Sequence, residues 1–508
     1  MHREIVIACV VFFLLTSNSF SHERIDPNGI VGTLLLSPIH SIDSKHLREV
    51  SGDADAANLC IVVDENSTTE SNPDLISAWS SLAASELTIV RIRNELNDFQ
   101  RQSLMVANVI WVASDSVQLP RSLGRICKER LASNRSVILT GNCVALAFNQ
   151  FQLSPKDPKQ IGWTLIPDSN LIIAEDVFDE SLGSQLRTHG LLFSVNHNAS
   201  LLFEGRRFRA TNSHIGLQVM DENHHRKSVK VVDIPADLTA LRRSLRKENI
   251  PPFQTDSTRT VPNGSLIIVG GGRLPSQAVK RFIEDAGGDA AKIVIFPTSL
   301  PDPIPDSLSI EKTLRKEGVQ SITVLRDREI SAVESAEFLA AIDDATAIWF
   351  NGGRQWRFVD AYQNTAAEPA INRLLERGGV IGGSSAGASI QGEYLARGNP
   401  LGNLDIMAAG YERGLGFLPG VAIDQHFTQR NRLPQLKQLV QRYPQYLGIG
   451  IDESTAIYVK ESIAETMGKG QVFYLNMTDG ELQVTEQKDG QRFDLNALIP
   501  IQETEVTP

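Results

Sequence analysis

Short apolar runs alternate with longer stretches of mixed polarity over most of the chain. Ile30 to Leu36, Cys60 to Val63, Leu87 to Arg91, Val109 to Val112 and Ser136 to Thr140 are rich in Val, Ile and Leu. Runs this short predict buried strands rather than core helices, and the stretches between them predict helices. A second series follows the same plan: Leu266 to Val269, Ile293 to Phe296, Ile322 to Arg326, Ala347 to Phe350 and Gly379 to Ser385.

The two series agree in order and in their flanking residues. Pro27-Asn28-Gly29 precedes the first run of one, and Pro262-Asn263-Gly264 precedes the first run of the other. Gly52-Asp53-Ala54 leads into Cys60 to Val63, as Gly288-Asp289-Ala290 leads into Ile293 to Phe296. Trp111 and Trp349 stand inside matching strands. Repetition of this kind predicts one structural unit present twice. The boundary falls in the Pro- and Thr-rich stretch from Asn249 to Pro262. The expected division is residues 27–240 as a first copy, 241–262 as a linker and 263–508 as a second copy. Strands alternating with helices predict an α/β unit, a parallel sheet covered by helices on both faces. In such a sheet a site forms at the C-terminal strand ends.

Composition narrows the function classes. Hydrophobic content of 42% and charged content of 21% over 508 residues fit a globular protein of more than one domain. A net charge of −11 argues against nucleic acid as a partner. At the N-terminus, Arg3, the apolar run Ile5 to Leu15 and the small residues Ser19 and Ser21 form a secretory signal pattern. Residues 1–21 are expected to be removed, placing the product outside the cell or in the periplasm, with no membrane attachment after cleavage. Cys60, Cys127 and Cys143 would remain, without paired spacing for a disulfide framework or a zinc site. No metal and no cofactor is expected.

The chemistry-bearing stretch is Val380-Ile381-Gly382-Gly383-Ser384-Ser385-Ala386-Gly387-Ala388. Gly383, Ser385 and Gly387 fit G-x-S-x-G, a sharp strand-to-helix turn that lifts a serine oxygen clear of the sheet. A nucleophilic serine needs a base and an orienting acid. From the linker to the C-terminus the sequence has one histidine, His426, at the end of the strand-like run Gly420 to Phe427. The next such run, Gly448 to Ile451, ends in Asp452-Glu453. Alternation sends those two carboxylates to opposite sides, one toward the histidine and the other toward a turn role. The order Ser, His, acid differs from the Ser, acid, His order of α/β-hydrolases. Gly270-Gly271-Gly272 also follows a strand, but Pro275 stands where a dinucleotide fingerprint needs its third glycine.

Gly383 to Ala388, Asp424-Gln425-His426-Phe427-Thr428-Gln429-Arg430-Asn431-Arg432 and Gly450-Ile451-Asp452-Glu453-Ser454-Thr455-Ala456 together resemble the cyanophycinases, in the serine-peptidase family that also holds aspartyl dipeptidases. The resemblance spans about residues 262–480. It implies a class I glutamine-amidotransferase-like (flavodoxin-like) α/β fold and a metal-free triad of Ser385, His426 and Glu453. It also implies an oxyanion hole from the backbone near Gly353 and at Ala386. Gln355, Asp424, Gln425, Arg430 and Arg432 match substrate contacts. The implied substrate is cyanophycin, a poly-aspartate with arginine on each side chain, cut to β-Asp-Arg dipeptides. Other aspartyl peptides, or a non-catalytic binding role, are the alternatives. Gln435 stands where a further basic residue is common, and Arg354 where a shorter residue is usual.

The first copy departs at the positions that matter. Gly141-Asn142-Cys143-Val144-Ala145 occupies its elbow, Ala113-Ser114-Asp115 its oxyanion loop and Asn196-His197 its acid position, and no base stands near Ile172 to Phe178. It is expected to be inactive, packing on the second copy as the other half of an intramolecular pseudo-dimer. Cys143 with His197 is the one pair there with chemistry of its own.

Overall fold

A computed structural model describes residues 29–40, 49–50, 58–65, 86–174, 190–197, 199–210, 215–220, 226–230, 235–253 and 258–502. The expected signal segment lies outside the described residues.

Two large sheets organise the chain. In the second, Ser321–Val324, Lys292–Phe296, Ala347–Phe350, Val380–Ser384 and Val261–Val269 lie side by side and parallel. In the first, Glu86–Ile92, Asn58–Asp64, Val109–Ala113, Ser136–Thr140 and Thr33–Ser37 follow the same order, also parallel. These ten strands are the apolar runs read from the sequence. The central residues of the eight inner strands are almost wholly buried, with Ile267, Ile295, Ile348 and Ile381 at 0% exposure, whereas the edge strands Glu86–Ile92 and Ser321–Val324 are partly exposed. Burial on both faces is why the inner strands lack an alternating polar pattern.

The sheets are mixed rather than purely parallel, which corrects the expectation. Thr455–Glu461 runs antiparallel beside Val261–Val269, and Ile463–Gly468 antiparallel beside Thr455–Glu461. Leu201–Glu204 and Arg207–Ala210 extend the first sheet in the same way. Thr455–Glu461 is joined to Ile463–Gly468, and Leu201–Glu204 to Arg207–Ala210, by a tight connection, which suits antiparallel strands; a parallel partner would need a long crossover. Each half also has a smaller sheet. In the second half it contains Gly392–Tyr394, Leu418–Gln425, Leu447–Ile451, Val472–Thr478 and Glu481–Gln487. In the first half Gln150–Gln152, Ser169–Ile173, Gly190–Val195, Ile215–Met220 and Arg226–Lys230 take the corresponding order.

Both sheets of the second half deliver their strand ends to one place. Val380–Ser384 brings the elbow, Leu418–Gln425 leads to His426, and Leu447–Ile451 leads to Glu453. Among the described residues, no helix is long and apolar enough to cross a membrane.

Candidate active site

The elbow forms because Val380–Ser384 is buried between two neighbours and must turn within one residue. Ser385 makes that turn at φ 55°, ψ −110°, and its N–H donates to Val269 O at 3.0 Å. A non-glycine residue at such a φ carries strain of about 1–2 kcal/mol. The flanking glycines are required by space. A Cβ on Gly387 would stand 2.0 Å from Phe350 O, and one on Gly383 2.2 Å from Gly387 O.

Ser385 Oγ lies 2.9 Å from His426 Nε2, and His426 Nδ1 lies 2.6 Å from Glu453 Oε1. With Nδ1–H donating to the carboxylate, Nε2 is the nitrogen left to accept the serine proton. His426 is itself at φ 50°, and Ser454, next to Glu453, is at φ 56°. Three left-handed non-glycine residues thus cluster around one hydrogen-bonded chain, as backbone strain does at working sites. Burial pushes the His426 pKa below the ordinary imidazole value. Glu453 pulls it up, and Arg430 and Arg432 oppose that pull. The imidazole is therefore neutral at neutral pH and able to accept a proton.

The carboxylate assignment follows from contacts. Asp452 Oδ1 accepts from Thr428 N at 2.9 Å and Thr428 Oγ at 2.7 Å, and its Oδ2 accepts from Gln471 N. It ties down the turn after His426 and leaves Glu453 to the imidazole.

The backbone around the serine fits a developing oxyanion. Ala386 opens a short helix, where a backbone N–H has no acceptor in its own helix. Gly352 lies against the serine; a Cβ there would be 3.5 Å from Ser385 Cβ. Gly353 has φ 152°, and a Cβ there would stand 2.3 Å from Ser299 O. Ser299 Oγ donates to Asn351 O and Gly352 O, both at 2.9 Å, which pins this loop.

The five expected substrate contacts do not form a ring of open side chains. Arg430 is exposed, whereas Gln355, Asp424, Gln425 and Arg432 are buried. Asp424 has no exposed surface, which corrects the expectation that it faces a ligand. It accepts from Arg432 Nη1 at 2.9 Å and from Arg397 Nε and Nη2 at 2.9 and 2.8 Å. Burial pushes Arg432 down to about 10, so it stays cationic at neutral pH beside Asp424. Gln355 Nε2 donates to Ala396 O and Arg397 O at 2.8 Å. These side chains support the strand end that carries His426, and Arg430 is the exposed one of the five.

Two features escaped the sequence reading, and a third, the glycine loop at a strand end, has a role it did not assign. Arg397, at 2% exposure and φ 61°, supports Asp424 from a loop with no periodic signal. Gln429 Oε1 accepts from Glu453 N at 2.9 Å. The glycines at 270–272 serve the triad. His426 N donates to Gly270 O at 2.8 Å, and a Cβ on Gly271 would stand 2.2 Å from His426 Cε1. Their position at a strand end was the available signal.

In the first half, strand register moves the elbow relative to the sequence reading. Gly141 N donates to Ser37 O at 3.0 Å, as Ser385 N does to Val269 O. Gly141, at φ 82°, therefore occupies the serine position, and Cys143 that of Gly387. Cys143 is fully buried, its thiol against Val112 O and Thr140 O, and burial pushes its pKa far up. His197 is exposed. Cys143 is thus a buried thiol without nucleophilic character, in keeping with an inactive first copy rather than a cysteine enzyme. Among the described residues, no cluster of His, Cys, Asp and Glu has the makings of a metal site.

Residues 266–467 match the family model described as Peptidase family S51. The chain is 31% identical over 223 residues to a cyanophycinase of Geminocystis herdmanii, covering 43% of this chain and 81% of that protein. It is 28% identical over 245 residues to a cyanophycinase of Trichormus variabilis, covering 46% and 82%. Among solved structures, a peptidase from an acI-B1 Actinobacterium aligns at 23% identity with a TM-score of 0.38, covering 46% of this chain and 98% of that one.

Proposed function

The chain belongs to peptidase family S51, a serine-peptidase family, and on that premise we propose a cyanophycinase-type exopeptidase that works through Ser385, His426 and Glu453. The observation that carries this reading is the hydrogen-bonded chain Ser385–His426–Glu453, at 2.9 and 2.6 Å. Ser385 Oγ attacks the scissile carbonyl while His426 Nε2 takes its proton, and the backbone N–H groups of Gly353 and Ala386 receive the oxyanion. The imidazolium then protonates the leaving amine, and water, activated by the same nitrogen, releases the acyl group. Glu453 holds the tautomer throughout.

The proposed substrate is an aspartate-backbone polymer bearing arginine, released as β-Asp-Arg dipeptides. Exposed Arg430 suits a substrate carboxylate, for which a planar guanidinium offers paired donors. Gln435, where a further basic residue is common, favours a second reading, the same chemistry on other aspartyl peptides. We also propose that the two halves descend from one unit, that the first has lost its chemistry, and that residues 1–21 direct export. The shared strand order of the two large sheets supports the duplication.

The test offers the purified protein insoluble cyanophycin beside a panel of α- and β-aspartyl dipeptides, with products identified by mass. Soluble β-Asp-Arg as the dominant product supports the proposal. Release confined to the dipeptide panel favours the second reading. No hydrolysis, and no labelling of Ser385 by a fluorophosphonate, overturns both.

A further inference from the structure

The helix Trp356–Tyr362 follows closely on the loop 351–353 that lies against Ser385, and it is held by an arginine of the first half at its start and by one of the linker at its far end. At its start, Arg206 lies over the Trp356 ring, 4.9 Å from guanidinium carbon to centroid. Its Nη1 donates to Asp360 Oδ2 at 2.6 Å, and its Nη2 donates to Tyr411 Oη. The rest of the fork is bound to Asp237 of the first half, at 2.6 and 2.9 Å. At the far end, Arg243 donates to Gln363 Oε1 and, at 2.9 Å, to Gly410 O. The backbones also meet closely, since a Cβ on Gly410 would stand 2.1 Å from Ala240 O. Arg206 and Arg243 are largely buried, their side chains or residues 16% and 6% exposed.

We infer that Arg206 of the first half is a positioning residue for the active site of the second, holding the helix that carries the oxyanion loop. The inference rests on the proposed serine-peptidase reading and deepens it. Gly352 and Gly353 have no side chains with which to fix their own N–H groups. Their placement comes from Ser299 on one side and from the helix on the other. An arginine fork shared by Asp237 and Asp360 fixes direction as well as distance. The stacked tryptophan limits rotation of the helix about its axis. An oxyanion donor is effective only when held in place before the reaction. On this view the first half supplies rigidity to a site whose chemistry lies wholly in the second.

The test uses the full chain with Arg206→Met and, as the conservative variant, Arg206→Lys, which keeps the charge but loses the fork. Active sites are counted by fluorophosphonate titration, so unfolded material does not enter the rate. Arg206→Met is expected to lower kcat per titrated site about tenfold with KM unchanged, short of the ~100-fold loss on deleting an oxyanion donor. Arg206→Lys is expected to fall between. Independently of activity, hydrogen exchange should quicken in residues 351–362 and stay unchanged in 380–388. Unchanged kcat per site with unchanged exchange in 351–362 overturns the inference, as does faster exchange spread over the whole second half. If Arg206→Met does not fold, Arg206→Lys carries both readouts and the same two outcomes decide. A wild-type protein that neither hydrolyses nor titrates defeats the peptidase reading instead, and the exchange measurement still decides the role of Arg206.

Discussion

The turn at Ser385 and the turn at Gly141 sit on matching strands, make the same backbone hydrogen bond to the neighbouring strand and both adopt positive φ, 55° and 82°. One is strained and the other is not, because glycine accepts that conformation freely. In the second half the space above the turn is left to His426. In the first half it is filled: a Cβ on Gly141 would meet Asp115 Oδ1 at 2.6 Å and His40 Cε1 at 2.7 Å. His40 Nδ1 bonds Thr140 Oγ at 3.1 Å and its Nε2 lies 3.3 Å from Asp115. The fold keeps the strand and the turn in both halves. Strain and open space persist only where an oxygen is to be presented, which is what separates a scaffold from a site.

The largest expected effect comes from removing that oxygen. Ser385→Ala should lower kcat by on the order of 10⁴-fold or more, with the circular dichroism spectrum unchanged. An active Ser385→Ala protein would erase the distinction between the two turns.

Next is the glycine that makes room for the base. Gly271→Ala would place a methyl 2.2 Å from the imidazole at a position with φ 105°. Displacing His426 by about 1 Å should cost about 100-fold in kcat. The serine should still be present and the fold retained, as checked by thermal melting beside steady-state rates.

A smaller change sharpens the electrostatics. Burial is the main cause of the lowered His426 pKa, and Arg430 adds to it by repulsion. Removing Arg430 therefore raises that pKa toward the ordinary value. Because the neutral imidazole is the base, the acid limb of kcat/KM should move to higher pH in Arg430→Ala. Glu453 acts in the opposite sense, so Glu453→Gln should move the limb lower. Rates measured across pH 4 to 8 (a range of roughly that width brackets imidazole titration) check both signs.

The smallest expected effect on activity is none. Gly141→Ser in a Ser385→Ala background should stay inactive, since no histidine stands at the matching strand end, Ile173-Ala174, and both ring nitrogens of the nearby His40 are engaged by Thr140 and Asp115. Its cost should appear as lost stability of about 1–3 kcal/mol, from crowding against Asp115 and His40, measured by denaturant unfolding.

Much of this was legible along the chain. Strands buried on both faces announce themselves as short apolar runs, so the eight inner parallel strands could be read directly, and the two edge strands from their place in the matching series. Gly383, Ser385 and Gly387 were legible because a sharp turn tolerates few residue types. His426 was legible because no other histidine follows the linker. The smaller sheets were legible only in part: Gly420 to Phe427 and Gly448 to Ile451 read as strands, but half-exposed strands such as Glu481–Gln487 carry too little apolar signal. Register was not legible: residue types align Cys143 with Ser385, while hydrogen bonding puts Gly141 there.

The sequence by itself determined the α/β plan, the two matching series of strands and the three residues that meet in one hydrogen-bonded chain, because each depends on local spacing and residue type. Tertiary structure decided which carboxylate reaches the imidazole, that Asp424 and Arg432 are buried supports, and that Arg206 bears on a helix more than a hundred residues away. Those outcomes depend on distances between strand ends and on which charges must share one buried space. Neither is set until the chain has folded, when every buried charge must find a partner.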